Sequence, residues 1–521
     1  MAFPTLRVCT DLSSSSGDRD LTVVVSPSLQ VSVFPQLSEA LLESQQYDPR
    51  VGTKASVVSS KSVPSGRCLH VPVGQLDRDY DDVRRFFDIG KVIAQHLLEL
   101  DAMHPLIVLD IQNWPKHKKA EYTHALENIY LGVCQQLWQP LEAREALIED
   151  EIEPVQSIAL WGLDAQATKM LSAIESGKRL ARDLCGTEPE RMAPIGFADY
   201  CNKAFKGTPV SIDVVDDPQF LLKEYPCMHA VARASLDVER HHPRLIHLTY
   251  QGAGPIQQTL YLAGKGITFD TGGADLKVNG HMAGMSRDKG GAAAVAGIMR
   301  VLALLKPAGI RVVASIAAVR NSIGADAYVP DEIITSHAGV RVRIGNTDAE
   351  GRMVLTDILS HMREQAQLDE NPQVFSFATL TGHAAIAFGP YSALVENQAA
   401  IDQNVSSNLI AAGHLWSDPC EQSKLRREDY NFIQPRTKAD DVLSSNNAPS
   451  VGTVRGHQFP MAYLSIASGL DKHGAQHDKP IAYTHVDIAG SAVENLDWQH
   501  GKPTAAAVAA FAASYILPRV K

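Results

Sequence analysis

Asn346-Thr347-Asp348-Ala349-Glu350-Gly351-Arg352 is the stretch on which the reading of this chain turns. Two carboxylates stand two positions apart, a guanidinium follows two positions later, and a glycine lies between them. The apolar-alternating run before it, residues 340–344, reads as a strand. The apolar-periodic run after it, residues 353–362, reads as a helix. In a wound α/β sheet, ligands bind at such a strand-to-helix junction. Two carboxylates and an arginine gathered there cost solvation energy unless a cation or an anion joins them.

A second segment upstream supplies partners. Lys265-Gly266-Ile267-Thr268-Phe269-Asp270-Thr271-Gly272-Gly273 follows a strand-like run at 259–263, and Lys277 comes soon after. Asp288 then precedes Gly290-Gly291-Ala292-Ala293-Ala294, which opens a helix expected to run to Leu305 and to stop at Pro307. Asp270, Asp288, Asp348 and Glu350 would repel one another in one crevice unless divalent ions neutralise them or some stay protonated. Two metals bridged by shared carboxylates suit hydrolysis, because together they polarise a carbonyl and activate a water. Asp270 and Glu350 could bridge, with Asp288 and Asp348 as terminal ligands. Lys265 could ligate only as a neutral amine, a form favoured by burial and nearby cations. Lys277 could stay charged and steady an oxyanion, and Arg352 could hold a carboxylate or a bicarbonate. No HExxH motif occurs, which disfavours a mononuclear zinc protease. The heptapeptide alone also fits a bland reading, in which Asp348 caps a helix and Arg352 pairs with it.

The chain has 521 residues, so two domains are expected. Residues 1–160 mix strand and helix patterns without a catalytic cluster. Residues 161–187 read as a linker helix, and 188–521 as the catalytic domain. The fold class is α/β, each domain a mixed or largely parallel sheet flanked by helices. The net charge of −11 disfavours nucleic-acid binding. Seven scattered cysteines without a CxxC pair fit a reducing, cytoplasmic setting. The first twenty residues lack a secretory pattern, and the alanine-rich run 504–517 is too short to span a bilayer and reads as a buried helix. The serines at 13–16 read as a loop, the acidic run 149–153 as a solvated face, and Asp357 as structural. The His241-His242 pair and His281 read as solvated.

Taken together, GKGITFDTGGADLK (264–277), MSRDKGGAAAVAG (285–297), NTDAEGRMVLTD (346–357), ATLTG (378–382) and HVDIAG (485–490) resemble the leucyl aminopeptidase (cytosol aminopeptidase) family of di-zinc exopeptidases. A weaker match lies at 179–194, so the resemblance covers about 165 to the C-terminus. It implies Asp270 and Glu350 as bridging ligands, Lys265 and Asp288 at the tighter zinc, and Asp348 at the more exchangeable one. It implies Lys277 as the group polarising the carbonyl and Arg352 as the holder of a bicarbonate general base. It also implies peptide substrates with a free N-terminus, a homohexamer, and two divalent ions per subunit, zinc foremost and manganese second. Met285, Thr379, Leu380, Gly382, Ala489 and Ala492 would line the side-chain pocket.

Five positions depart from that family pattern. Lys289 adds a positive charge next to Asp288, and Asp275 stands where it could pair with Lys277 and blunt it. Arg320 replaces a frequent glutamate before Asn321, and His383 replaces a small residue. Ala492 replaces a methionine, which enlarges the pocket. A weakened or inactive family member with a structural or binding role is the competing reading.

Overall fold

The computed structural model describes residues 4–12, 19–147, 149–446 and 452–520. The serines at 13–16 lie outside the described residues, as do the side chains of Glu149 and Asp150. The chain divides into two compact units, Met1–Ser176 with His414–Ser417, and Gly177–Gly413 with Asp418–Lys521. The stretch read as a linker holds a 22-residue helix, Ala165–Gly186, and the division falls inside it.

The first unit is built on six strands: β1 (Thr5–Cys9), β2 (Leu21–Ser26), β3 (Ser56–Ser59), β4 (Arg67–Pro72), β5 (Pro105–Leu109) and β6 (Ser157–Trp161). Their order is β1-β6-β5-β2-β4-β3, and only β3 runs antiparallel to its neighbour. β2 is buried along its whole length, as expected of a parallel strand covered on both faces.

The second unit carries the main sheet. Its strands are β7 (Val210–Val215), β8 (Arg244–Gln251), β9 (Gln258–Asp270), β10 (Ile310–Asn321), β13 (Pro372–Ala378), β14 (Ser392–Glu396), β15 (Cys420–Ser423) and β17 (Ala482–Asp487), in the order β15-β14-β17-β13-β9-β10-β8-β7. The four central strands β17, β13, β9 and β10 are mutually parallel, and antiparallel strands flank them. The chain leaves β9 for β10 on one side and later returns to β13 on the other. The carboxyl ends of β9 and β13 therefore form a topological switch point, where crevices open in such sheets.

Three short strands, β11 (Ile333–Thr335), β12 (Arg341–Arg343) and β16 (Val442–Leu443), make a separate small sheet. The strand expected before the heptapeptide is β12, so it belongs to this small sheet rather than to the wound one. Tertiary pairing alone distinguishes the two cases. The helix Gly290–Leu305 is buried on every side except at Arg300 and Leu304. It presses so closely on β13 that a Cβ on Gly291 would stand 2.1 Å from the Phe377 carbonyl oxygen. The alanine-rich C-terminal run becomes helical only at Val508, after left-handed turns at Ala505 and Ala507. All seven cysteines are free and buried, and no helix among the described residues is long and apolar enough to cross a membrane.

Candidate active site

Lys265 and Asp270 both lie on β9, five positions apart, a spacing that sends side chains to opposite faces of a regular strand. The pairing of β9 with β10 slips between Ile267 and Phe269, which face the consecutive residues Val319 and Arg320. Thr268 is thus an extra residue, and the bulge restores Lys265 and Asp270 to one site. Lys265 is 3% exposed; its Nζ lies 2.7 Å from Asp288 Oδ1 and 2.9 Å from Glu350 Oε1, and it donates to the Thr379 carbonyl at 2.9 Å. Asp270 accepts from the Gly272 amide and from Asn321 Nδ2, at 2.9 and 2.8 Å. Its other oxygen lies 2.9 Å from Lys277 Nζ, which also pairs with Asp348.

The heptapeptide opens with a cap. Asn346 Oδ1 accepts from the Asp348 amide at 2.7 Å, and a single turn, Thr347–Ala349, leads into the helix Glu350–Ala366. Asn346, not Asp348, fills the capping role, and Arg352 does not pair with Asp348. The guanidinium donates instead to the Ser444 carbonyl at 2.8 Å and lies over the Phe459 ring. Thr347 ties the two distant segments together. Its amide donates to Asp275 Oδ2 at 2.7 Å and its hydroxyl to the Gly272 carbonyl at 2.7 Å. Asp275 is therefore spent on Thr347 rather than on Lys277, and the expected blunting of that lysine does not occur.

Ligand atoms of Asp270, Asp288 and Glu350 all lie within 4.8 Å of one another. Four ionised carboxylates, Asp348 included, against two ammonium groups would leave two negative charges uncompensated in the cluster. Burial, and after it the neighbouring Asp270, pushes Asp348 up to about 7. Burial also pushes Asp288 well above the ordinary carboxylate range. Burial opposes the charge on Lys265, but Asp288, Glu350 and Asp270 outweigh it and hold the amine protonated. The neutral amine expected from the sequence is not the form that three carboxylates impose on their own. Asp288 Oδ2 and Glu350 Oε2 are buried without a hydrogen-bond partner. Two buried carboxylate oxygens without a partner are costly, and they suit hard or borderline cations.

The catalytic-domain model of the cytosol aminopeptidase family matches residues 179–512. The chain belongs to the cytosol aminopeptidase family. As a member it is a hydrolase of the metallo-aminopeptidase class. A Caenorhabditis elegans protein named as an aminopeptidase is 38% identical over 89% of this chain and 87% of its own length. An Aquifex aeolicus protein named as a cytosol aminopeptidase is 29% identical over 66% of this chain and 64% of its own length. Among solved structures, a mutant of tomato leucine aminopeptidase superposes with a TM-score of 0.77 at 19% identity, over 98% of this chain and 95% of that one. The bottromycin maturation enzyme in complex with Mn superposes with a TM-score of 0.74 at 20% identity, over 95% and 98%. At such identities the likeness is one of fold.

Within this aminopeptidase five of the residues expected around the side-chain pocket follow the ends of β13 (Thr379, Leu380, Gly382) and β17 (Ala489, Ala492), and Met285 lies in the short turn before the helix Gly290–Leu305. Thr379 is closer to the charged cluster than a lining role requires, because its hydroxyl donates to Asp288 Oδ1 at 2.7 Å. A Cβ on Gly290 would stand 2.9 Å from the Thr379 methyl and 3.5 Å from the Ala492 methyl, so these three adjoin. Ala489 and Ala492 are buried, Met285 and Leu380 half-buried and Gly382 exposed. Asp487, which sequence reasoning passed over, shapes this loop. It accepts from the Leu380 and Ala489 amides, both at 3.1 Å, and from the Thr381 hydroxyl at 2.6 Å. Its place in the quoted HVDIAG motif was the available signal.

The remaining departures point away from the cluster. Lys289 is fully buried, and its ammonium donates to the Thr187 carbonyl at 2.9 Å and to that of Ser286. Arg320 reaches Glu190 at 3.2 Å and lies over the Phe269 ring. His383 lies against the Gly456 backbone. His241, expected in solvent, is 7% exposed and meets Glu190 at 3.0 Å. His242 is half-buried and donates to the Leu236 carbonyl, whereas His281 is exposed. The acid Glu190 lies far from the histidines in sequence, and only the fold brings it to them.

Proposed function

We propose that this chain removes the N-terminal residue from peptides with the aid of two divalent ions. The observation that carries this reading is the pair of buried, unpartnered oxygens, Asp288 Oδ2 and Glu350 Oε2, inside a trio of converging carboxylates. Lys265, Asp270, Asp288, Asp348 and Glu350 would hold the ions, with zinc the first choice and manganese the second. When bound, such ions supply Lewis-acid polarisation of a carbonyl and acidify water.

The chain's own groups do the rest. Lys277, charged and pinned between Asp270 and Asp348, stands ready to steady negative charge on the scissile carbonyl oxygen. Arg352 is buried with Nε unpartnered, which suits a small planar oxyanion such as bicarbonate acting as proton acceptor. Burial pulls Arg352 down, to about 10, so it stays charged at neutral pH. Met285, Thr379, Leu380, Gly382, Ala489 and Ala492 would receive the substrate's first side chain, with breadth beyond leucine because position 492 is small.

The family resemblance supports a homohexamer, and the seven buried free thiols suit a cytoplasmic setting; sedimentation and cell fractionation test these two readings. The decisive experiment is hydrolysis of a fluorogenic leucyl amide by protein stripped with a chelator and reloaded with Zn²⁺, Mn²⁺ or Co²⁺. Activity should vanish on stripping and return on reloading, with metal analysis on the same samples. A reloaded protein that holds its ions and cleaves no aminoacyl amide would overturn the reading.

A further inference from the structure

Glu224, His337 and His361 form a second group of metal-ligating side chains. Glu224 ends the helix Pro218–Glu224, His337 lies in the turn between β11 and β12, and His361 lies on the helix Glu350–Ala366. His361 stands eleven residues beyond Glu350, roughly 16 Å along that helix, so this group is separate from the carboxylate cluster. One donor atom from each of the three residues lies within 4.8 Å of the other two.

The two imidazoles stack with centroids 3.7 Å apart. Each has one nitrogen engaged by a neighbour: His337 Nδ1 meets Ser360 Oγ at 2.9 Å, and His361 Nε2 donates to the Glu224 carbonyl at 3.0 Å. A metal-ligating histidine is fixed in this way, by a hydrogen bond from the nitrogen that does not ligate. His337 Nε2 then lies 3.9 Å from Glu224 Oε2, against about 3.3 Å between two ligands of a tetrahedral zinc. Both side chains are partly exposed, and a rotation of the Glu224 carboxylate would close that gap.

Neighbouring groups do not compete. Lys223 pairs with Glu224 through Oε1 and is 83% exposed, so it leaves Oε2 available and yields readily to water. The His337 amide donates to Asp357 Oδ1 at 2.9 Å, and the His361 ring packs against Tyr225. Burial, and then His361, holds His337 below the ordinary histidine range, so its ring offers a lone pair at neutral pH.

We propose that His337, His361 and Glu224 bind one divalent ion of the zinc class. Two imidazoles and a carboxylate are a zinc-type donor set, with water as the fourth ligand. The ion would tie the helix Pro218–Glu224 and the turn at 337 to the far end of the helix that begins at Glu350. Its role is to hold these segments together, not to take part in cleavage.

The test is a zinc count. Full-length protein is stripped with a chelator, reloaded with Zn²⁺, desalted and analysed by plasma emission, as wild type, Glu224→Gln and His361→Gln. Each variant should carry one zinc fewer per chain than wild type, and its specific activity should match wild type. The count is a difference between proteins that share the carboxylate cluster, so it does not depend on how many ions that cluster takes. Equal zinc in wild type and in Glu224→Gln, a change that keeps the side chain's shape at a partly exposed helix end, overturns the proposal. An anomalous peak between the three side chains in zinc-soaked crystals would support it, and a peak only at the carboxylate cluster would overturn it.

Discussion

A methyl group on Gly351 would stand 2.6 Å from Cε of Lys265. The lysine cannot retreat, because its ammonium is held by Asp288, Glu350 and the Thr379 carbonyl. Gly351 is thus the space through which the Lys265 stem reaches the cluster. Gly351→Ala should lower kcat/KM on leucyl amides by on the order of 10²-fold, with a cooperative melt retained. Wild-type turnover in that variant would show that the lysine stem moves freely.

Glu350 offers one oxygen to Lys265 and leaves the other unpartnered. Glu350→Gln keeps the shape and removes the charge. Zinc affinity and turnover should both fall, each by at least about 10²-fold. Metal titration and amide hydrolysis on the same sample check this, and full zinc occupancy with full activity would sink it.

Asp357 is fully buried and receives the amides of Cys227, Met228 and His337, at 2.7, 3.4 and 2.9 Å. Asp357→Ala leaves those donors unanswered in a dry interior. Urea unfolding should show a loss of about 2–4 kcal/mol. A change below 0.5 kcal/mol, within the usual range for a surface substitution, would mean that water or a rearranged turn replaces the carboxylate.

Burial, reinforced by Arg352, holds His485 down at about 3 against an ordinary 6.5, and burial likewise holds His457 at about 4. The unfolded chain takes up these protons first. Stability is therefore full above pH 6.5 and falls as pH drops toward the folded values, by up to roughly 1.4 kcal/mol per pH unit for each histidine. His485→Gln should flatten the slope of urea midpoints measured between pH 7 and 4.5. An unchanged slope would place the acid sensitivity elsewhere.

Ala492 adjoins Gly290, with 3.5 Å between its methyl and a Cβ built there. Ala492→Met should narrow the space for a substrate side chain. The ratio of kcat/KM for phenylalanyl over leucyl amide should fall by about 10-fold, within the 1–3 kcal/mol that a change of pocket size commands. An unaltered ratio would remove position 492 from the pocket.

Much of the site was legible because its chemistry is carried by residue type. Carboxylates, two lysines and an arginine beside close glycines leave few uses in a chain of ordinary composition. The helices that follow Gly290 and Glu350 announced themselves by apolar spacing. The burial of His241 has no local signal, because its partner, Glu190, is fifty-one positions away. The partner of Asp275 is equally hidden, since Thr347 answers it from another segment. The second histidine group was invisible, because Glu224, His337 and His361 share no spacing rule.

From residue order alone came the identity of the charged groups and the glycines that let backbone approach them, since both are properties of single side chains. Where those groups meet was decided by the folded chain. The bulge at Thr268 turns Asp270 to the side of Lys265, and Thr347 bonds to the loop that holds Lys277. Strand register and long-range hydrogen bonds arise from the packing of many distant residues at once, and no local pattern encodes them.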